Sequence, residues 1–175
     1  MQTFYYSLVN MMELNKAEHI LEVACGTGKL LPLAMSLKQL DCTYLASDFS
    51  EKMIKYSLET IDGYLDKMGV EMLTEEWMDR NNLTLQVANC MKPIPSEYKF
   101  DRIIANLVLQ GGQEPEVMMR NFYKMAEEGC LLGVGVWGKE EDNNIFNMIP
   151  EALQVVKGVK KPERHTSFRC LDRLK

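Results

Sequence analysis

Short apolar runs alternate with longer amphipathic stretches along this chain of 175 residues. Apolar runs of about four to eight residues are typical of buried strands, whereas apolar positions that recur about every three or four residues are typical of helices. This alternation predicts strands joined by crossover helices, which is an α/β fold. The predicted strands are residues 19–24, 43–47, 83–88, a strand within 100–109 centred on 102–105, and 130–137. The predicted helices are residues 2–14, 28–40, 51–68 and 114–127, and residues 141–156 are a fifth crossover helix or its start.

The order of these elements predicts how the sheet is assembled. Right-handed crossovers, with a reversal of winding direction after the third strand, give a mostly parallel sheet of order 3-2-1-4-5 with helices on both faces. This is a Rossmann-like, three-layer sandwich. Ser50 is the predicted N-cap of the helix that follows it. Residues 63–82 are interpreted as an extension of that helix followed by a loop.

The chain length fits a single domain covering residues 1–175, with a lead-in helix in residues 1–18 and a basic tail in residues 157–175. The net charge of −5 argues against a nucleic-acid-binding protein. The tail carries seven Lys or Arg and two Asp or Glu, so its charge is +5 and the rest of the chain is −10. Two interpretations of the tail stay open: a solvated surface segment, or a contact with an acidic protein partner.

Cysteine spacing and hydropathy restrict the compartment. The five cysteines are widely spaced and none forms a CxxC pair, so a zinc or redox site is not expected and a reducing compartment is the simplest interpretation. No apolar run approaches the roughly 20 residues of a membrane span, and no signal peptide is recognisable. Residues 1–15 lack Lys and Arg, unlike a mitochondrial presequence. We expect a cytoplasmic protein; a processed chain in the mitochondrial matrix would have the same features.

The most informative segment is the turn at residues 22–28, Glu-Val-Ala-Cys-Gly-Thr-Gly, which lies between the first predicted strand and the first crossover helix. Gly26 and Gly28 have no Cβ, so the backbone there can approach a ligand closely. The helix that follows offers free backbone N–H groups. A GxG pair alone is weak evidence, but a strand-turn-helix context is the one that a nucleotide site requires.

A second feature lies at the end of the second predicted strand. Asp48 follows Gly28 by 20 residues, a position where a carboxylate accepts hydrogen bonds from both ribose hydroxyls of a nucleoside. Leu31 occupies the position of the third glycine in a dinucleotide fingerprint. Glu22 would be unfavourable beside a pyrophosphate but favourable near the ammonium group of a methionine moiety, directly or through water. These residues favour S-adenosylmethionine over a nicotinamide or flavin dinucleotide.

Four segments resemble the motifs of class I S-adenosylmethionine-dependent methyltransferases, in particular the group that includes ubiquinone- and menaquinone-biosynthesis enzymes. They are residues 21–31, 48–54, 87–91 and 100–106. The resemblance implies S-adenosylmethionine as the cofactor, with ribose on the acid of the second motif and adenine beside the residues that follow the second and third strands. The implied cofactor-binding residues are Glu22, Ala24, Cys25, Gly26, Gly28, Asp48, Phe49, Met53, Asn89, Cys90, Asn106 and Leu107.

The chain departs from the family pattern in two places. Many members have glycine where this chain has Ala24, although a small residue is retained. The family sheet normally ends in an antiparallel hairpin that brings it to seven strands. This chain reaches Lys175 about where the sixth strand would begin, so we expect the hairpin to be absent or incomplete. The fifth strand would then be an exposed edge that invites pairing with a protein partner.

Some of these residues also have a structural interpretation. Asp48 would serve as an ordinary helix-cap or turn acid. Glu22 would hold the loop by accepting hydrogen bonds from backbone N–H groups. Cys25 and Cys90 are interpreted as small side chains of the core or cofactor pocket rather than as nucleophiles, because neither has a histidine nearby in the sequence.

Residues 106–110, after the fourth predicted strand, lack the Asn/Asp-Pro-Pro-aromatic pattern of nucleobase amino-methyltransferases, so a nucleic-acid substrate is not expected. Methyl transfer from a sulfonium depends mainly on alignment, and the sequence identifies no catalytic residue. The first hypothesis is a methyltransferase that acts on a small molecule. The second is a methyltransferase-like subunit with a structural or assembly role in a larger complex. A third interpretation is a fragment of a longer protein.

Overall fold

The computed structural model describes residues 2–70, 72–110, 114–138 and 155. The strands are β1 (His19–Val23), β2 (Thr43–Asp48), β3 (Leu83–Val87), β4 (Phe100–Asn106) and β5 (Ala126–Gly135). The helices are α1 (Gln2–Met11), α2 (Leu31–Leu37), α3 (Glu51–Lys67), α4 (Glu75–Arg80) and α5 (Pro115–Met125), with a 3-10 turn at Leu14–Lys16. All strand pairs are parallel and the order is β3-β2-β1-β4-β5, which confirms the predicted Rossmann-like fold.

Successive residues of β1 belong to two apolar clusters on opposite faces of the sheet, because side chains alternate along a strand. Ile20 packs in the cluster beneath α1, α2 and α3, whereas Leu21 and Val23 pack in the cluster beneath α5. Both faces are covered, so the central strands are buried along almost their whole length. Glu22, between Leu21 and Val23, therefore lies on the face covered by α1, α2 and α3.

Helix α3 begins after Ser50 as predicted, although the Ser50 side chain makes no capping hydrogen bond. Its inward stripe is Ser57, Ile61 and Leu65, which recur every fourth residue as expected for a helix packed on a sheet. The small Ser57 lies nearest the start of the helix and allows a close approach to the rest of the fold. This end of α3 stands over the carboxyl ends of the strands.

Three element bounds differ from the sequence prediction. Helix α2 is shorter than the predicted residues 28–40, because residues 24–30 form the turn. Residues 63–82 do not hold one extended helix and a loop: α3 ends at Lys67, and the separate helix α4 begins after Thr74, whose hydroxyl caps it. These short segments carry too few periodic positions for the hydrophobic pattern to separate them.

The boundary between the last described helix and the last described strand also lies earlier in the chain than predicted. Helix α5 ends at Met125, and β5 begins at Ala126 rather than at residue 130. The early start includes Gly129 with a φ of 84°, and the register with β4 shifts beside it. A glycine at such an irregularity has no steric penalty, which explains how the strand continues through it.

The lead-in helix is attached to the sheet through Arg102 of β4. Its Nε donates a 2.6 Å hydrogen bond to the Met12 carbonyl, and its guanidinium pairs with Asp101 at 3.1 Å. Leu8 and Met12 pack over Gly133 of β5, where a Cβ would collide with the Met12 sulfur. Helix α1 is thereby held on the same face as α2 and α3.

Several predictions fall outside the described residues, apart from Val155. They are the helix at residues 141–156, the basic tail at residues 157–175 and the fate of the terminal hairpin. Among the described helices, none has both the length and the apolar character that crossing a membrane requires.

Candidate functional site

The chain leaves β1 through a turn with three left-handed backbone positions. Ala24, Gly26 and Gly28 have φ values of 53°, 57° and 69°. This conformation costs an L-residue about 1–2 kcal/mol, so Ala24 stores strain, and such non-glycine residues cluster at ligand sites. The turn is closed by a 3.0 Å hydrogen bond from the Gly28 N–H to the Cys25 carbonyl. The strain at Ala24 therefore makes the turn a candidate ligand site.

Gly26 and Gly28 lack side chains for different reasons. A Cβ on Gly26 would meet no atom within 4 Å, so this residue faces open space that a ligand can enter. A Cβ on Gly28 would lie 2.9 Å from both Cα and Cβ of Ser57. The missing Cβ of Gly28 is therefore explained by the packing of α3 against the turn, and a contact between Gly28 and the cofactor stays a prediction.

Asp48 lies at the end of β2 and points at the turn. Its Oδ2 accepts a 3.0 Å hydrogen bond from the Gly26 N–H, and its Oδ1 accepts a 3.0 Å bond from the Ser50 N–H at the start of α3. The side chain is 4% exposed. Asp48 therefore has the structural role at the start of α3 that the sequence also allowed. A carboxylate has about four acceptor positions, so two remain for further donors such as ribose hydroxyls.

A crevice of about 440 Å³ opens beside the turn at the carboxyl ends of β1, β2, β3 and β4. That volume lies within the range of about 300–1,000 Å³ for small-molecule and cofactor sites. Six predicted site residues line it, namely Ala24, Phe49, Asn89, Cys90, Asn106 and Leu107. Met91, Val108, Glu114 and Met118 line it as well and are not among the twelve residues named from the resemblance. The other six predicted residues are not part of this lining: Glu22, Cys25, Gly26, Gly28, Asp48 and Met53. Met53 is half-buried in the first turn of α3.

The position of the crevice agrees with the rule that ligands bind outside the carboxyl ends of parallel strands. A family model described as a methyltransferase domain matches residues 14–143, which include the five described strands and the whole turn. The chain belongs to the class I S-adenosylmethionine-dependent methyltransferase family.

Known proteins that resemble this methyltransferase domain differ widely in size and chemistry. A PKS-NRPS hybrid synthetase of Chaetomium globosum is 28% identical over 117 residues, which are 65% of this chain and 2% of the synthetase. A SAM-dependent methyltransferase from Aquifex aeolicus has a TM-score of 0.60 at 18% identity, over 79% of this chain and 67% of that one. The 4+2 cyclase SpnF has a TM-score of 0.59 at 16% identity, over 75% and 43%. The two structures show the shared fold.

Glu22 of the methyltransferase domain lies beneath the turn and is 3% exposed. Its Oε2 accepts a 2.7 Å hydrogen bond from the Tyr44 hydroxyl. Burial raises the pKa of Glu22 to about 7; the Tyr44 hydrogen bond lowers it and the nearby Asp48 charge raises it. Among the described residues no backbone N–H donates to Glu22, so the role of holding the turn belongs to Asp48.

Two hydroxyl groups of α3 fix the carbonyls of the turn, and the sequence reasoning missed both. Ser57 Oγ donates to the Gly26 carbonyl at 2.9 Å, and Thr60 Oγ1 donates to the Thr27 carbonyl at 2.7 Å. Gly26 is therefore held on both sides, by Asp48 at its N–H and by Ser57 at its carbonyl. The signal in the sequence was a pair of small hydroxyl residues three positions apart on the inward face of a helix.

The opposite wall of the crevice is formed where β4 ends. Leu107 has a φ of 58°, a second strained non-glycine residue in the lining. Its N–H donates a 2.7 Å hydrogen bond to the Gly135 carbonyl. The neighbouring Asn106 Oδ1 is buried and has no hydrogen-bond partner among the described residues. A buried amide oxygen without a donor is costly, which makes Asn106 a candidate for contact with a bound ligand or water.

Neither of the two predicted cysteines is suited to act as a nucleophile. Cys25 is buried against Ser57, with 3.5 Å between sulfur and hydroxyl, and burial together with the Glu22 charge raises its pKa to about 12. Burial also raises the pKa of Cys90, whose sulfur lies 3.5 Å from that of Met118 in the crevice wall. Since the thiolate is the reactive form, both side chains are poor nucleophiles near neutral pH.

A second and larger cavity lies apart from this crevice. It measures about 1080 Å³ and opens between α1, α2 and α3, with Tyr5, Tyr6, Tyr56 and Tyr64 among its lining residues. None of the twelve predicted cofactor residues lines it. Size alone therefore does not locate the site. The residues that follow β1, β2, β3 and β4 meet in the smaller crevice, with the strained Ala24 among them.

Proposed function

We propose that this methyltransferase domain binds S-adenosylmethionine in the crevice beside Gly26 and transfers its methyl group to a small molecule. The hydrogen bond between the Gly26 N–H and Asp48 carries the proposal, because it places an open-faced backbone position and a carboxylate with spare acceptor capacity side by side. A nucleoside with an amino-acid tail needs this combination.

The residues that line the crevice, together with Asp48 and Glu22 beside it, fit the parts of this cofactor. Asp48 has acceptor positions for the ribose hydroxyls, and the largely exposed Phe49 offers a ring face for adenine at the rim. Asn89 and Cys90 lie where the adenine edge would be. Glu22 supplies negative charge beneath the turn for the ammonium group of the methionine moiety.

The bound cofactor supplies an electrophilic methyl group on a sulfonium, which is already a good leaving group. The protein then has to hold the acceptor in line with the methyl carbon and exclude water. Asn106 and Leu107 lie at the end of β4, where they would contact the methionine end or the acceptor. A proton on the acceptor can leave to solvent or to a neighbouring polar group, so the proposal assigns no general base.

Calorimetric titration with S-adenosylmethionine and S-adenosylhomocysteine tests this proposal. Asp48→Ala should weaken binding by roughly 1.5–3 kcal/mol, because a charged acceptor is lost. Asp41→Ala is the matched control, since Asp41 is exposed and precedes the amino-terminal end of β2, away from the crevice at the carboxyl ends of the strands. A folded wild-type protein that binds neither ligand at millimolar concentration would refute the proposal.

The class of acceptor can be tested separately with methyl-labelled cofactor in fractionated cell extract. A small-molecule acceptor predicts label in the low-molecular-weight fraction, dependent on Asp48 and unaffected by nuclease or protease. Label that enters only nucleic acid or protein would contradict this part of the proposal while leaving cofactor binding intact.

A structural role in a larger complex is the second candidate. Its support is the exposure of Leu131, Leu132 and Val134 on β5, the last strand in the order of the described sheet; each is more than a third exposed. An apolar strand at a sheet edge is suited to a protein contact. If this candidate is correct, Asp48→Ala should weaken cofactor binding and leave the cellular role unchanged.

A further inference from the structure

Glu22 and Tyr44 form a buried pair beneath the turn. Glu22 pairs in register with Ala46, two positions beyond Tyr44 on β2, so the two side chains project from the same face of the sheet. Tyr44 is 1% exposed, and its hydroxyl donates to Glu22 Oε2 at 2.7 Å. No other described residue donates a hydrogen bond to this carboxylate.

The charge around Glu22 is negative. Asp48 and the Cys25 thiol are the other titratable groups that act on it from β2 and the turn, and Tyr44 is its donor. No described Lys, Arg or His lies within ion-pair distance of it. A buried anion without a cation is unstable unless it is protonated or a cationic ligand arrives.

We propose that Tyr44 is a positioning residue of the cofactor site, whose hydroxyl holds Glu22 Oε2 so that the carboxylate accepts the ammonium group of the methionine moiety through Oε1. This inference rests on the proposed cofactor site. Tyr44 is not among the residues that line the crevice, so its proposed role is exerted through Glu22.

The hydroxyl also decides how readily Glu22 ionises. Its hydrogen bond lowers the pKa of Glu22 against the opposing effect of burial. Burial and the neighbouring carboxylate raise the pKa of Tyr44 itself well above the ordinary value, so it remains a donor over the working pH range. Binding of an ammonium group should favour ionised Glu22. The affinity should therefore rise with pH through about 7, and binding below pH 7 should release a proton from Glu22.

The test is the affinity for S-adenosylhomocysteine between pH 6 and 8.5, measured by calorimetry in wild type and Tyr44→Phe. Loss of the hydroxyl should move the affinity midpoint upward by about one pH unit, which weakens binding about five- to tenfold at pH 7. Near pH 8.5 the two proteins should differ by less than about threefold, because Glu22 is then largely ionised in both. Circular dichroism establishes that each variant is folded.

Two variants serve as controls. Tyr98→Phe removes a hydroxyl from a tyrosine that stacks on His19 at the amino-terminal end of β1. It should leave the pH profile unchanged. Glu22→Gln should abolish the pH step and the proton release, measured in buffers of different ionisation enthalpy.

The outcomes separate this inference from the proposed function. A Tyr44→Phe curve that is parallel to that of wild type at every pH would assign Tyr44 a merely structural role and overturn the inference, with cofactor binding intact. Absence of binding by folded wild-type protein would overturn both. A raised midpoint in Tyr44→Phe with no pH step in Glu22→Gln is the result that supports the positioning role.

Discussion

Asp48 accepts a 3.0 Å hydrogen bond from the backbone N–H of Gly26, so the carboxyl ends of β1 and β2 are joined at one point. The same carboxylate accepts the Ser50 N–H at the start of α3. One side chain thus fixes the turn relative to the start of the helix. The effects of Asp48 substitutions on stability and on ligand affinity should therefore be measured together.

Gly26→Ala should weaken S-adenosylhomocysteine binding while the domain stays folded. An added methyl group would project into open space, where the proposed cofactor tail would lie, and one misplaced methyl group in a binding pocket costs about 10- to 200-fold in affinity. Gly69→Ala is the matched control, since Gly69 also has a left-handed φ with open space around it but follows α3 far along the chain. Equal affinities for both variants would remove Gly26 from the site.

Gly28→Ala should act on folding instead. The new Cβ would lie 2.9 Å from the Ser57 backbone, and both the collision and the left-handed φ oppose it. Strain and overpacking together predict a loss of roughly 2–4 kcal/mol in unfolding free energy, against about 1 kcal/mol for Gly69→Ala. Urea denaturation measures both values. Equal losses would mean that α3 does not press against the turn.

Thr60→Val should loosen the turn without changing side-chain shape. The substitution removes the donor to the Thr27 carbonyl and should cost about 1–2 kcal/mol in stability. Thr60→Ser keeps the hydroxyl and should restore most of the loss, as well as ligand affinity. If serine and valine behave alike in urea denaturation and calorimetry, the hydrogen bond does not support the turn.

Glu22→Gln should change how the stability of the ligand-free protein depends on pH. Burial raises the pKa of Glu22 from 4.5 to about 7, so folding favours the protonated form. Its stabilising contribution is present below about pH 4.5 and is lost as the pH rises through about 7, a difference on the order of 3 kcal/mol. The variant should therefore be more stable than wild type at pH 8 and lose this advantage towards pH 4.5. Parallel stability curves would show that Glu22 does not titrate in this range.

The convergence of Asp48 on the turn was predictable from the sequence. Parallel strands place their carboxyl ends at one edge of a sheet, so residues that follow different strands meet there even when they are distant in sequence. The same rule correctly brought Phe49, Cys90 and Asn106 to one crevice. Strand order followed from crossover handedness, which needs only the sequence of elements.

Contacts that depend on register or helix rotation were not predictable. The Tyr44–Glu22 pair requires that Glu22 stand opposite Ala46, which the periodicity of either strand leaves open. The contact of Ser57 with the turn depends on how α3 is rotated about its axis. Met118 reaches the sulfur of Cys90 only because α5 crosses over that part of the sheet.

A crystal structure of this methyltransferase domain with S-adenosylhomocysteine is the most direct test of the central claim. The account predicts ribose hydroxyls within hydrogen-bond distance of Asp48 and the amino-acid tail beside Gly26, with its ammonium group directed towards Glu22. Ligand density in the tyrosine-lined cavity between α1, α2 and α3, with Asp48 still bonded only to Gly26 and Ser50, would contradict it.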